Sequence, residues 1–140
     1  MTQRGNRRDR TFFEDGGYKL YGVLLGEAAR KAETEIWCYC LMPNHVHLIL
    51  VPSHADGLRG ALGETHRRYT RHVNAREGWH GHLWQSRFAS FPMDEAHLLA
   101  CARYVELNPV RAKLARSPGA WKWSSAKAHL TGTDDGLVRV

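Results

Sequence analysis

The chain is predicted to fold as an α+β protein, with helices over one face of an antiparallel sheet. Three observations carry that expectation. Residues 36 to 51, Ile-Trp-Cys-Tyr-Cys-Leu-Met-Pro-Asn-His-Val-His-Leu-Ile-Leu-Val, read as two apolar strands joined by a tight turn at Pro43-Asn44. Strands joined by so short a turn are antiparallel. The segments before and after this hairpin repeat apolar residues at three- and four-residue steps, the mark of helices that bury one face.

Size and composition agree with one soluble unit. The 140 residues suffice for a core without disulfide or metal staples, and 43% hydrophobic with 24% charged residues is ordinary for a globular protein. The domain expectation is therefore a single unit, 1–140, with 131–140 as a frayed tail. Twenty Lys and Arg against 14 Asp and Glu give a formal charge of +6, and the pI is about 9.5. Arginine strongly outnumbers lysine, and its planar fork suits phosphate. Nucleic acid is thus a candidate partner, although charge kept for solubility accounts for the balance equally well. Cys38, Cys40 and Cys101 form no C-x-x-C pair, which points to a reducing, cytoplasmic setting without disulfides. The polar, basic start is not a signal peptide, and no apolar run is long enough to cross a membrane.

Element by element, Arg4, Arg7, Arg8 and Arg10 surround Gly5-Asn6 and can grip a phosphate backbone or form a loose basic arm. Asp15 caps a helix that runs to about Glu33, with Tyr18, Tyr21, Leu25, Ala28 and Ala32 on one stripe. The hairpin follows. Alternation along its second strand sends His45 and His47 to one face and Val46, Leu48 and Leu50 to the other. A second helix begins near Leu58 with Leu58, Leu62, Thr65, Tyr69 and Val73 buried. Its other faces carry Arg59, Arg67, Arg68 and Arg71, a surface suited to a nucleic-acid backbone.

After a turn-rich connection, Leu83 to Phe91 reads as a strand that includes Arg87, a possible phosphate contact. Asp94 caps a third helix, Glu95 to Asn108, ended or kinked by Pro109. Leu98, Ala102 and Val105 form its sheet-facing side, and Glu106 is assigned to solvent. Trp121 and Trp123 are packing anchors before a short helix starting near Ser124.

The third helix turns the histidine pair into half of a site. Tyr104 and Asn108 are four residues apart and share a helix face. Asn108 can offer its amide oxygen to a metal held by His45 and His47, with Tyr104 one turn away. Such a metal polarises a phosphodiester, and Tyr104 can then attack and become covalently joined to one side of the break. That route conserves the bond for resealing by another strand's hydroxyl. Taken singly, the residues have plainer explanations. The histidines can hydrogen-bond in a polar rim, Tyr104 can be a half-buried packing residue, and Asn108 can simply end a helix before proline.

The pattern resembles a known family. Leu41-Met-Pro-Asn-His-Val-His47 and Arg103-Tyr-Val-Glu-Leu-Asn-Pro-Val-Arg-Ala112 are similar to the motifs of REP-associated tyrosine transposases, within the HUH (His-hydrophobic-His) single-tyrosine superfamily. Thr2–Arg8, His66–Thr70 and His82–Phe88 also resemble family segments, so the likeness spans nearly the whole chain. The resemblance implies a ferredoxin-like antiparallel sheet with helices packed on it, of HUH endonuclease/transposase type. It implies Mg²⁺- or Mn²⁺-dependent cleavage and rejoining of single-stranded or hairpin DNA through a 5′-phosphotyrosine. By matched position, Tyr104 is the nucleophile and His45, His47 and Asn108 are the metal ligands. Family members usually carry a complete first strand before the Thr2-Gln-Arg-Gly-Asn6 block, whereas here Met1 directly precedes it, so either the first strand is short or the start of the sequence is placed too late. Monomer and homodimer both occur among such proteins.

Two other functions compete. One is a DNA-binding module of the same fold that has lost turnover. The other is a nucleotide hydrolase of the histidine-triad type, which requires a further histidine where this chain has Ile49.

Overall fold

The computed structural model describes residues 2–4, 12, 15–77 and 95–138. In order these form β1 (Thr2–Arg4), α1 (Asp15–Lys31), β2 (Thr34–Met42), β3 (His45–Pro52), α2 (Gly57–Glu77), α3 (Glu95–Glu106), α4 (Asn108–Arg111), a 3₁₀ turn (Pro118–Ala120) and α5 (Ala126–Thr131). The strand expected at Leu83–Phe91 and the cap at Asp94 lie outside the described residues.

α1 carries Asp15 in its first turn and Arg30 and Lys31 in its last, each placed favourably against the helix dipole. The chain leaves it through Glu33, whose φ of 52° breaks the helical path. Tyr18, Tyr21, Leu25 and Ala28 are buried, as the stripe requires. The hairpin forms where its pattern places it, with strand order β1-β3-β2 and both pairings antiparallel. Leu41 pairs with Val46 and Tyr39 with Leu48, while Cys40 pairs with His47 and Met42 with His45.

That register gives the sheet two dissimilar faces. Tyr39, Leu41, Val46 and Leu48 join Tyr21 and Leu25 of α1 and Leu62, Tyr69 and Val73 of α2 in the main core. Cys38, Cys40, Met42 and Ile49 make a second cluster on the histidines' side, roofed by Val105 with Leu98, Cys101 and Ala102 of α3. The antiparallel sheet with helices packed on it is therefore present, but helices occupy both faces rather than one. The reason lies in the hairpin: the sulfur side chains of β2 and Ile49 of β3 leave the histidines' face too apolar to remain open to water.

The chain after α4 closes the free edge of β2. Leu41 N–H donates to Trp123 O (2.7 Å) and Ser125 N–H to Tyr39 O (3.0 Å), with a bridge between Cys40 and Ser124. Trp121 Nε1 donates to Leu41 O at 2.9 Å. The stretch Tyr39–Leu41, so covered, offers no ladder to another chain. Trp123 also stacks on Tyr18, with centroids 5.0 Å apart and planes 3° from parallel, so the tryptophans are packing anchors.

Two boundaries differ from expectation. The tail does not fray over its described part, to residue 138. Val138 is 1% exposed within the main core, and Asp135 accepts from Tyr39 Oη (2.6 Å) and from Val138 N–H (2.9 Å). Leu137 and Val138 pack on the main core beside the Asp135 carboxylate, and none of the three has a periodicity to reveal it. α3 stops at Glu106 rather than Asn108. Pro109 lacks the N–H that would continue the ladder, so Asn108 opens the separate turn α4.

Candidate active site

β3 supplies the two histidines from successive outward positions on the face roofed by α3. Their rings lie 4.9 Å apart, edge to face at 86°. His47 is 8% exposed, while His45 at the strand's start is half-buried. Asn44 in the turn engages His45 Nδ1 through Oδ1 at 2.7 Å. With the proton on Nδ1, this bond turns the lone pair of Nε2 away from the turn. Nε2 faces the side-chain amide of Asn108, 3.5 Å from its nitrogen.

Tyr104 approaches from α3. Its ring stands edge to face on His47 with centroids 6.1 Å apart, yet the residue is 57% exposed. One side of the phenol is thus held by the histidine, while more than half of the residue's surface is open to a large substrate. The four residues singled out by spacing come together although they derive from a strand, a helix and the turn following that helix.

Arg111 was not given a role by the sequence, yet it lies against the nucleophile candidate. Its guanidinium carbon is 4.1 Å from the Tyr104 ring centroid, and Nη2 donates to the Tyr104 carbonyl. Residues seven apart share a helix face but stand about two turns apart along a straight helix, so spacing alone does not put them in contact.

Glu106 also departs from expectation. Rather than facing solvent, its Oε2 accepts from Ser125 Oγ (2.5 Å), His129 Nδ1 (2.7 Å) and, at 3.5 Å, the Cys38 thiol. These bonds tie the end of α3 to α5 and so hold the frame from which Tyr104 and Asn108 project. Burial pushes the neighbouring thiols upward: Cys38 well above the usual range, and Cys40 to about 12, with the Glu106 charge adding to both. Cys40, the register partner of His47, therefore stays a neutral thiol beside the imidazoles.

The expected DNA contacts are more dispersed. Arg4 is the register partner of His45 through β1. Arg7, Arg8 and Arg87 lie outside the described residues. Arg67, Arg68 and Arg71 ride on α2, which packs on the Val46 and Leu48 face, so the sheet stands between them and the histidines. Arg67 pairs with Glu64 at 2.5 Å and Arg68 with Glu27 of α1 at 3.0 Å, while Arg71 is exposed. The bond from Arg67 holds the Glu64 carboxyl below its ordinary range. α2's arginines thus lie behind the site, because the stripe from Leu62 to Val73 commits that helix to the far layer.

Among the described residues no group of three or more His, Cys, Asp and Glu could hold a metal ion. A metal here would depend on the Asn108 amide. Ligands each about 2.1 Å from one ion stand roughly 3.0–3.5 Å apart, which the His45 to Asn108 separation meets. Amide orientation is an assignment, and rotating the amide by half a turn presents Oδ1 to Nε2 instead. The donor set of two imidazoles and one amide oxygen fits a divalent cation.

An exposed phenol, two imidazoles and an amide thus meet on one face of an antiparallel sheet. The sequence matches the family model described as "Transposase IS200 like" over residues 4–108, and the chain belongs to that family of DNA-processing enzymes. A solved structure of a REP-associated tyrosine transposase bound to a REP hairpin has the same fold. It aligns with a TM-score of 0.77 and 19% identity over 99% of this chain and 82% of that one. No curated protein matches the chain. Among the described residues no helix is long and apolar enough to cross a membrane.

Proposed function

We propose that the chain cleaves and rejoins single-stranded DNA through Tyr104, by way of a 5′-phosphotyrosine. The observation that carries this reading is the convergence of Tyr104 with His45, His47 and Asn108, brought together from three separate parts of the fold. The REP hairpin bound by the structural neighbour supports hairpin DNA as the substrate class.

His45 Nε2, His47 and Asn108 Oδ1 would hold Mg²⁺ or Mn²⁺, which when bound supplies charge to stabilise the anionic transition state. The chain's own residues do the rest. Asn44 fixes the tautomer and direction of His45. His47 braces the phenol, and the exposure of Tyr104 admits the strand. Tyr104 Oη gives up its proton to solvent as it attacks phosphorus, and its bond to phosphorus forms as the bond to the departing 3′ oxygen breaks. That oxygen takes the electron pair and, in exchange, a proton from solvent, becoming the free 3′ hydroxyl. Another 3′ hydroxyl reverses the step and reseals DNA without external energy.

Incubation with Mn²⁺ and a hairpin-bearing single-stranded oligonucleotide should yield a covalent protein–DNA adduct on a denaturing gel. Tyr104→Phe should abolish it, and His45→Ala should lose it while still binding the oligonucleotide. An adduct retained by Tyr104→Phe would displace the nucleophile. Tight binding by wild type with no adduct under any divalent cation would instead favour a binding module without turnover.

A further inference from the structure

We propose that Arg111 contacts the phosphate transferred to Tyr104, and that its stacking on the phenol places the guanidinium where that phosphate arrives. The inference rests on the strand-transfer reading above.

Three arginines of α2 are held in ion pairs, while Arg71 stays exposed. Arg59 pairs with Asp56, Arg67 with Glu64 and Arg68 with Glu27. Arg111 differs. Among the described residues no carboxylate lies within ion-pair distance of it; its partners are the face and the carbonyl of Tyr104. A full positive charge is thus set against the nucleophile's own ring without an internal counter-charge. Stacking occupies one face of the planar group, and the bond to the carbonyl uses one N–H of five. The remaining edge donors are available to an anion, and arginine's fork matches phosphate oxygens geometrically.

α4 makes this placement rigid. Pro109 is buried, and its carbonyl accepts from Leu114 N–H at 2.8 Å, while Ala112 N–H donates to Asn108 O at 2.9 Å. Asn108 and Arg111 are the first and last residues of that one turn. The same short element therefore presents the amide to His45 and the guanidinium to Tyr104. As Oη bonds to phosphorus, negative charge grows on the non-bridging oxygens beside the ring, and a fixed cation there lowers the barrier without reorganising.

The test is single-turnover adduct formation with the intact chain, Mn²⁺ and a hairpin oligonucleotide. Arg111→Ala should slow the adduct about a hundredfold, the usual effect of removing one transition-state donor, with oligonucleotide affinity within threefold of wild type. Arg111→Lys should fall between the two, since it keeps charge without the fork. Millimolar guanidinium ion should restore part of the Arg111→Ala rate, and urea at the same concentration should not. Arg111→Gln, closer in volume, is read the same way should the alanine variant melt early. Rates within threefold of wild type, a loss explained wholly by weaker binding, or equal responses to guanidinium and urea would each overturn the proposal. Failure of wild type to form an adduct, or its survival in Tyr104→Phe, would bring down the strand-transfer reading itself. A wild-type adduct with unaffected Arg111 variants removes only this inference.

Discussion

His66 makes the stability of this fold sensitive to acid in a way that can be worked through. It sits on α2 against α1, where Tyr21 Oη meets its Nε2 at 2.7 Å. Tyr21 is fully buried, and burial pushes its phenol far above the ordinary range, so it remains a donor and the imidazole an acceptor. Burial also drives His66 from its ordinary 6.5 down to about 3. In the unfolded chain the ring takes a proton near pH 6.5; in the folded chain it refuses one until about pH 3. Its contribution is therefore constant above pH 6.5 and is lost progressively as pH falls towards 3. At 1.36 kcal/mol per tenfold in proton affinity the ceiling is about 5 kcal/mol. Some of the residue's surface still touches water, so we expect roughly 2–3 kcal/mol between pH 7 and pH 4. Urea unfolding at stepped pH, compared between wild type and His66→Gln, isolates this share because carboxylates act equally in both. The variant keeps an acceptor for Tyr21 and cannot titrate, so its curve should fall less steeply below pH 6.5. Parallel curves would refute the reasoning.

Three further outcomes follow from particular contacts. Asn108→Ala should depress adduct formation at least about a hundredfold with oligonucleotide affinity nearly unchanged, whereas Asn108→Asp should retain activity in Mn²⁺; equal losses would contradict a ligand role. A Cβ at Gly57 would stand 2.7 Å from both Pro52 Cβ and Thr34 Oγ1, neither on a flexible stem, so Gly57→Ala should destabilise by roughly 1–3 kcal/mol in urea melts. A neutral or stabilising result would mean that the start of α2 yields. Val138→Ala should cost roughly 1–3 kcal/mol if the tail is docked, and no measurable change would contradict its burial.

Periodicity made much of the fold legible. Strand alternation put His45 and His47 on one face opposite Val46 and Leu48, and helical stripes gave α1 and α2 their buried sides. The same rules brought Tyr104 and Asn108 towards the histidines. What escaped depends on contacts across long separations. Leu137, Val138 and the Asp135 carboxylate dock the tail. Glu106 turns inward because Ser125 and His129, far along the chain, wait for it. Arg111 shares a helix face with Tyr104 by spacing, but about two turns away, and its contact with the ring was not readable from that. Helix α2 shows a further limit: its cations were visible, but which layer it would join was not, and the answer put the sheet between those arginines and the histidines.

The most direct measurement is to digest the covalent protein–DNA product with protease and nuclease and locate the nucleotide by mass spectrometry. The account predicts a nucleotide joined through its 5′ phosphate to Tyr104, in the peptide between Arg103 and Arg111, together with a free 3′ hydroxyl on the released strand. A nucleotide on any other residue, or cleavage leaving 5′ phosphates free in solution with unmodified Tyr104 throughout the time course, would contradict it.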